Sequence, residues 1–592
     1  MEPISASTYS HKYSYETFYI TDYSNSKDML ISLVAYMTQP QFNGYTVYCH
    51  NWSGFDSVFL LNTIYNLESK GFKVKVNAKA DKISQVTITK EDFKIKILDS
   101  YLLLPSSLVS LASSFCSVEN KLNFDVLVND TANLYDPAFK ESLLAYNKQD
   151  CLVLFNVINA AYREIKELFN VSIKNVTTLS GLALKLYRSN YMKHSLDTTW
   201  LEDYLQMKKA YYGGHVDVYK HKGENLYYYD VNSLYPYVMR NNLYPVGEVS
   251  YREALNRNEL DIFSIFGICY ADIIAPDNLY APLLLHRNDN KTVAPVGKWS
   301  GWYCSEELKL ALTYGYSIKV YKAYHWYDKA NIFKGYVDTL YSNRVKYPKD
   351  NAKNMISKLL MNSLYGRFGM SPLLEDYKII SPEESNLEFW MEHFGSTLIV
   401  TDGVEVIGKK QAHNSMLTFK RNSEEKKSRS LININTPLAI FTTAYARMFM
   451  AKYKIDYKDN LYYSDTDSLV LDCELPEREV GTELGQFKLE YKAMEGIFLA
   501  PKVYALKLED GTEIIKIKGS KAKISYSQFT ELLHKDSSYK VNQDKWMKDR
   551  TSSNIHIMNT NYTVSITEGK RISIYNKFNI AMETKPVYIK VY

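Results

Sequence analysis

Short runs in which apolar and polar residues alternate fill the first third of the chain: TVYCH at 46–50, KVKVNAK at 73–79, VTITK at 86–90 and FKIKILD at 93–99. Alternation with a period of two predicts half-buried strands. A helical spacing then runs from about Glu141 to Phe169. Around Tyr211 the stretch KKAYYGGHVDVY is strand-like, broken by a glycine pair. From Asn225 the run NLYYYDVNSLYPYVM predicts a buried strand that turns into a helix. Helical periodicity returns over 335–370 and again over 436–453, which leads into the strand-like LYYSDTDSLVLDC. Between them, residues 375–430 are polar and irregular, and the charge run SEEKKSRS at 423–430 reads as a solvated loop tip. The C-terminal part is basic and mixed, with strands such as TEIIKIKG and RISIYNKF.

A length of 592 residues is too great for a single core and implies three or more domains. With 46% hydrophobic and 23% charged residues the chain is an ordinary globular one, neither disordered nor fibrous. Its 52 tyrosines stand out. They fit an AT-rich gene, and equally a surface on which bases stack. A net charge of +5, from 71 basic against 66 acidic residues, is too small to declare a nucleic-acid partner, so any basic surface is local. The six cysteines (Cys49, Cys116, Cys151, Cys269, Cys304, Cys473) are scattered without a CxxC pair, which argues against a zinc ribbon and a secreted disulfide scaffold. No apolar run approaches the roughly 18 residues of a membrane span. The N-terminal stretch lacks an apolar signal core and carries Glu2 and Glu16 but no Arg, so the expectation is a protein that stays where it is made, without a membrane partner.

Three motifs carry chemistry. Tyr463-Ser464-Asp465-Thr466-Asp467-Ser468 sits between apolar runs and predicts a hairpin whose tip holds Asp465 and Asp467 on one side, a seat for a hard divalent cation. Alone, an acidic tip is as readily a plain turn. Asp230 ends an apolar strand, where burying a carboxylate is costly unless it is paired or bound to metal. The following Ser233-Leu234-Tyr235-Pro236 offers backbone amides at a turn into a helix, suited to phosphate oxygens, with the Tyr235 ring beside a sugar. Third, Lys358, Asn362 and Tyr365 fall on one helix face, a cation, an amide and a ring that suit a nucleoside triphosphate. Arg344 and Lys346 lie upstream as further cations.

In this order the motifs resemble those of family B DNA polymerases: DxxSLYP at 230–236, Kx3NSxYG at 358–366 and YxDTDS at 463–468. Tyr211-Tyr212-Gly213-Gly214 resembles the YxGG element between exonuclease and polymerase domains, and Lys502-Val503-Tyr504 the KxY primer-terminus motif. Extra segments at 259–332 and 371–430 stand where the protein-primed branch, that of phages and mitochondrial linear plasmids, carries its terminal-protein-region insertions. The resemblance implies an α+β multidomain chain, a right-hand polymerase of palm, fingers and thumb with a partial ribonuclease H-like 3′–5′ exonuclease domain. The expected divisions are 1–185 exonuclease-like, 186–258 palm, 259–332 first insertion, 333–370 fingers, 371–430 second insertion, 431–530 palm and 531–592 thumb. It implies two Mg²⁺ ions (Mn²⁺ as a substitute) about 3.5–4 Å apart, with Asp230 and Asp467 as ligands, the Val231 carbonyl as an extra one and Asp465 in support. Ser233, Leu234, Tyr235, Lys346, Lys358, Asn362 and Tyr365 would hold the deoxynucleoside triphosphate, Tyr235 by excluding a ribose 2′-hydroxyl. Tyr211, Gly213, Gly214, Lys502 and Tyr504 would hold template and primer DNA, Lys516 and Lys518 the template phosphates, and Asn51 single-stranded DNA. A terminal protein is the implied primer.

The exonuclease resemblance is incomplete. His50-Asn51-Trp52-Ser53-Gly54-Phe55-Asp56 and Tyr146-Asn147-Lys148-Gln149-Asp150 match its second and third motifs, and Asp99-Ser100 and Lys121 fall at its other kept positions. The first motif, DxE, is missing: neither Asp22 nor Asp28 has a Glu two places on. Asp56, Lys121, Tyr146 and Asp150 are therefore expected as vestigial, proofreading as absent or weak, and the chain as beginning inside that domain unless its start is mis-assigned. The rival expectation is a decayed, non-catalytic DNA-binding remnant. Reverse transcriptase is disfavoured, since the hairpin reads DTD and not YxDD. The branch resemblance points to a mitochondrion, with a phage in a bacterial cytoplasm as the alternative.

Overall fold

The computed structural model describes residues 2–79, 82–116, 131–196, 201–254, 258–288, 291–371, 375–380, 415–420, 434–520, 524–549 and 553–590. Its N-terminal unit contains a divided sheet. β1 (Ser5–Ser10) and β2 (Ser14–Tyr19) form an antiparallel hairpin on their own. β3 (Thr46–Cys49), β4 (Lys73–Lys79), β5 (Lys82–Lys90) and β6 (Phe93–Asp99) form a second sheet in the order β3-β6-β5-β4, with β3 parallel to β6. The alternation read from the sequence puts Ile83, Val86 and Ile88 of β5 and Ile95 and Ile97 of β6 in one core with the helices Ser26–Met37 and Asp56–Tyr65. A long helix, Pro137–Phe169, follows. It starts four residues before the periodic stretch, because Asp136 accepts the Ala138 N–H as an N-cap and Pro137 takes the first helical position.

The central part of the chain is built on a seven-stranded sheet. Its order is Glu513–Ile517, Val503–Leu508, Phe487–Ala500, β8, Ser468–Leu471, Leu461–Asp465, β7, where β7 is Val216–Val218 and β8 is Lys222–Val231. The helix Thr436–Asp456 packs behind it, buried on nearly every side from Thr436 to Arg447, which explains why its sequence is apolar without a polar stripe. The periodic stretch 335–370 is two helices, Lys334–Lys346 and Ala352–Phe368. The break falls at Tyr347, which precedes Pro348 and is extended (ψ 143°), as the proline ring requires of the residue before it.

Residues expected as a first insertion form a five-stranded sheet together with Tyr244–Glu253 and Tyr588–Lys590. The last strand runs parallel to Val296–Lys298, so the C-terminal segment divides between this sheet and two hairpins, Tyr539–Asp549 with Asn554–Val564 and Arg571–Tyr575 with Ala581–Pro586. Of 371–430, the backbone of Glu375–Ile380 pairs with Ser415–Lys420, and most of the rest lies outside the described residues. Among the described residues no helix is long and apolar enough to cross a membrane.

One buried ion pair joins the helix Ser305–Thr313, which follows strand Val296–Cys304 of the five-stranded sheet, to the helix Thr436–Asp456. Arg447 binds Glu307 through two hydrogen bonds of 2.7 and 2.8 Å, with side chains 3% and 1% exposed. Its remaining nitrogen donates to the Tyr212 and Gly213 carbonyls, which anchors the irregular YxGG segment that the sequence pattern suggested as a strand. Glu307→Ala leaves a buried guanidinium unpaired and is expected to cost about 3–5 kcal/mol of stability, read as a lower urea midpoint; the double replacement of both residues by Met is expected to recover most of the loss.

Candidate active site

Asp230 lies near the end of β8, and the hairpin Leu461–Asp465/Ser468–Leu471 runs beside it, with Ser468 paired to Asp230. The Val231 N–H donates to the Asp467 carbonyl at 2.8 Å. Paired strands lie about 4.8 Å apart, so two aspartates remote in the chain become neighbours. Asp467 occupies the turn between the two strands. Thr466, at φ 58°, makes that turn in the left-handed region, and Asp465 is drawn off to the Lys502 ammonium at 2.6 Å.

Burial, with Asp467 next to it, pushes the Asp230 carboxyl up to about 7. Burial also raises Asp467, and Asp465 adds to the shift. Lys488, paired directly across from Asp230, is itself tied to Glu490 at 2.8 Å, so it offsets the charge only in part. Lys488 and Glu490 were missed in the sequence because a Lys-x-Glu on a strand is indistinguishable from a solvated edge. Two desolvated carboxylates with a hydroxyl-rich turn are a donor set for a hard divalent cation. Among the described residues no group of three or more His, Cys, Asp or Glu is placed to hold a metal ion.

Beside the carboxylates, Ser233 adopts φ 53° and leads into the helix Leu234–Asn241. Arg344 donates to its hydroxyl at 3.3 Å. Lys346, two residues on and so turned away by the helical pitch, is exposed and sits 5.3 Å over the Tyr347 ring. Leu234 is 1% exposed, which leaves its backbone rather than its side chain for a ligand. The Tyr235 ring stacks on Tyr365, with centroids 4.2 Å apart and planes at 23°. Lys358 and Asn362 are exposed on the same helix as Tyr365, and Asn362 donates to the Lys358 carbonyl.

The YxGG and KxY elements close the site from the other side. A Cβ on Gly214 would stand 2.3 Å from the Thr466 Oγ1, so glycine allows the close approach of that segment to the acidic turn; Gly213 faces open space. Tyr211 packs against Gly369 beneath the Lys208 ammonium. Lys502, at φ 63°, donates its backbone N–H to the Tyr463 hydroxyl. Tyr504 is 8% exposed and wedged between Tyr463 and Tyr228, so of this pair Lys502 is the one that faces the carboxylates. Lys516 and Lys518 are exposed.

Behind the acidic turn lies a buried polar chain. The His215 carbonyl accepts the Thr466 N–H at 2.9 Å. Its ring lies 2.8 Å from Asp217 at Nε2 and 3.3 Å from the Lys454 ammonium at Nδ1. Burial, with Lys454 adding, holds His215 down at about 4, so the ring is neutral, donating from Nε2 and accepting at Nδ1. Burial brings Lys454 down to about 8. Arg571, 3.9 Å from Asp217, ties the C-terminal hairpin to the same strand.

In the N-terminal unit, Asp56 and Asp150 line one cavity, and Tyr146 lies one turn before Asp150. Burial, with Asp99 nearby, pushes Asp56 up to about 6. Asn51, at φ 68°, donates its N–H to Asp99, as do Ser53 and Tyr101, so Asp99 is a post that holds the loop by its amides. Lys121 lies outside the described residues.

A family model described as DNA polymerase type B, organellar and viral, matches residues 39–138 and 127–460. Two fungal proteins, each named "Probable DNA polymerase", are similar along almost all of this chain. That of Ascobolus immersus is 30% identical, covering 99% of this chain and 51% of its own length. That of Podospora anserina is 31% identical, covering 97% and 56%. The chain thus spans about half the length of these relatives. Among solved structures, Phi29 DNA polymerase complexed with primer-template DNA and incoming nucleotide substrates has the same fold, with a TM-score of 0.69 over 95% of this chain and 99% of that one at 18% identity.

The raised Asp230 carboxyl has a sign that thermal unfolding can test. In the unfolded chain it ionises near 4, whereas the folded protein holds the proton up to about 7. The folded state therefore binds the proton more tightly, and stability falls as pH rises from about 4 to 7. In chelator, Asp230→Asn is expected to raise Tm at pH 8 and leave it nearly unchanged at pH 4. Added Mg²⁺ is expected to raise the Tm of the unaltered chain at pH 8 and not that of the variant.

Proposed function

The chain belongs to the organellar and viral type B DNA polymerases, and on that premise we propose that it is a DNA-directed DNA polymerase, adding deoxynucleoside triphosphates to a primer 3′ end on a DNA template. The observation that carries this reading is the pairing of Asp230 with the acidic turn, two carboxylates kept protonated or repelling unless a cation lies between them. Mg²⁺ suits this site because it takes one or two carboxylates and fills its remaining positions with water and phosphate oxygens. When bound, the ions supply charge for the primer oxygen and the leaving pyrophosphate.

The chain's own groups do the rest. Asp230 and Asp467 would hold the ions, with the Val231 carbonyl beside them, and Asp465 keeps Lys502 in place. Arg344 and Lys358 neutralise the triphosphate, and Lys346 adds charge at its exposed rim. The Ser233–Tyr235 amides sit at the start of a helix, where phosphate oxygens are favoured. The stacked Tyr235 and Tyr365 rings form a flat wall that leaves no room for a 2′-hydroxyl. Lys502, Lys516, Lys518 and the YxGG segment follow the DNA backbone.

Priming by the hydroxyl of a terminal protein fits the branch, and a mitochondrial element fits the fungal relatives. Asp56 and Asp150 line one cavity of the N-terminal unit.

Asp467→Ala is expected to lower Mg²⁺-dependent primer extension by at least 10³-fold, the loss of a charge-stabilising group being worth several kcal/mol in the transition state, while gel-shift affinity for primer-template changes little. Extension by the variant at the unaltered rate sinks the assignment. Gly214→Ala pushes Thr466 and is expected to cost about 10-fold or more in kcat with KM for the nucleotide nearly kept.

A further inference from the structure

The helix Lys334–Lys346 is held from two sides. Tyr336, Val337 and Leu340 are 0% exposed and pack into the main core. On another side Asp338, Tyr341 and Arg344 follow at three-residue spacing, a slanting row of polar groups. Asp338 accepts from Arg240 in the last turn of the helix Leu234–Asn241. The Tyr341 hydroxyl donates to Glu483 Oε2 at 2.8 Å, and Arg344 donates to the Ser233 hydroxyl at 3.3 Å.

Glu483 belongs to a loop that is fastened to the turn after Asp230. The Asn232 N–H donates to the Gln486 carbonyl at 2.9 Å, the Gly485 N–H to the Asn232 carbonyl at 3.0 Å, and the Asn232 side chain to the Gly481 carbonyl at 2.9 Å. The Gln486 side chain accepts the Glu483 N–H at 3.0 Å, which fixes the backbone where the carboxylate departs. Gly485 lies at φ 87°, and a Cβ there would stand 2.1 Å from the Tyr237 ring, so the loop passes directly over that ring. Glu483 is exposed, yet it stands on a fixed post.

Arg344 is the loosely held member of the row. Of a guanidinium's five N–H donors, one on Nη1 meets Ser233, and the buried Nε has no hydrogen-bond partner among the described residues. Burial lowers its pKa, as befits a cation withdrawn from water without an anion. Its backbone is firmer: the Asn354 side chain donates to the Arg344 and Tyr347 carbonyls, both at 2.8 Å. Arg344 lies one turn after Tyr341, so the direction in which its side chain leaves the helix follows the tether before it. Burial, with Glu483 adding, raises the Tyr341 hydroxyl, which keeps its proton to donate.

We propose that Tyr341 and Glu483 are positioning residues for the incoming nucleotide: their hydrogen bond holds the helix Lys334–Lys346 at the angle that aims Arg344 at the triphosphate, and so sets nucleotide affinity rather than the rate of the chemical step. This rests on the reading of the site as a polymerase centre, in which Arg344 neutralises the triphosphate. Neither residue touches the nucleotide. A phosphate oxygen supplies the acceptor that the Arg344 Nε lacks.

The test uses the full 592-residue chain and its variants Tyr341→Phe, Glu483→Ala, Glu483→Gln and the double Tyr341→Phe/Glu483→Ala. Binding of Ca²⁺·dGTP to the chain on a dideoxy-terminated primer-template, opposite a template C, is read by calorimetry. Single-nucleotide addition with Mg²⁺ gives KM and kcat. In Tyr341→Phe and Glu483→Ala, Kd and KM are expected to rise about 10-fold, the scale of one hydrogen bond to a charged group, with kcat and Tm kept. Glu483→Gln still offers an oxygen acceptor and is expected to stay near the unaltered values, and the double variant to match either single one. Unchanged affinity in both single variants overturns the proposal, and so does a fall in kcat and Tm with affinity kept, the mark of a plain structural contact. Additive losses in the double variant overturn it too, since the two side chains then act separately. A chain that binds dGTP but adds none sinks the polymerase reading alone, and the binding arm still decides whether the pair sets affinity. No dGTP binding by the unaltered chain overturns both.

Discussion

Two negative charges forced within a strand spacing of each other, in a place where water is scarce, set the terms for everything around the site. Asp230 and Asp467 repel and are both desolvated, so each is held toward its protonated form. Nothing local to either residue would keep them there. What does is the sheet: β8 is pinned on one side by Ser468–Leu471 and on the other by Phe487–Ala500, and a slip of one residue would turn Asp230 to the opposite face. The surrounding backbone is arranged at some expense of strain. Ser233, Thr466 and Lys502 adopt left-handed conformations without being glycine, at about 1–3 kcal/mol each, and all three border the same pair of carboxylates.

The buried chain behind the turn shows how such strain is held. Thr466 has its amide fixed by the His215 carbonyl, and His215 is fixed in turn from both ring nitrogens. A neutral imidazole between an ammonium and a carboxylate satisfies one donor and one acceptor at once, which a buried network requires in full. Arg571 and Thr584 extend the network to the C-terminal hairpin, Thr584 by donating to the Val218 carbonyl. The last fifty residues of the chain thereby become part of the support of a turn that precedes them by about a hundred.

Much of this was legible from the sequence, for reasons that differ by residue. Asp230, Asp467, Tyr235 and Lys358 stand in contiguous motifs whose spacing reflects one strand-to-helix turn, one hairpin and one helix face, all local geometry. The strands β3 to β6 followed from alternation, and the long helix from its period. The break at Tyr347-Pro348 was missed because a period of 3.6 continues in register across it. Arg344 reaching Ser233 in place of Lys346, the Lys488–Glu490 pair beside Asp230, and the His215–Lys454 contact depend on sheet order and helix rotation, and those are set by packing between segments hundreds of residues apart. Tyr504 illustrates the converse: its motif was readable, but its burial between Tyr228 and Tyr463 depends on which strand lies next to which.

The divided N-terminal sheet and the intact catalytic sheet meet through one element. The helix Pro137–Phe169 turns Val153, Val157, Ala161, Ile165 and Phe169 into the core that also holds Leu360, Met361 and Leu364 of the helix Ala352–Phe368, and lines the N-terminal cavity with Asp150, Leu154, Phe155 and Ile158. Glu164 and Glu167 near its end bind Lys353 at 3.5 and 2.7 Å, five residues before Lys358. Closely packed interiors transmit small displacements rather than absorb them. A single rod of 33 residues therefore bears on the orientation of Lys358, Asn362 and Tyr365 on one side and on the width of that cavity on the other. The helix Ala352–Phe368 thus draws on the N-terminal unit for the stiffness of that rod.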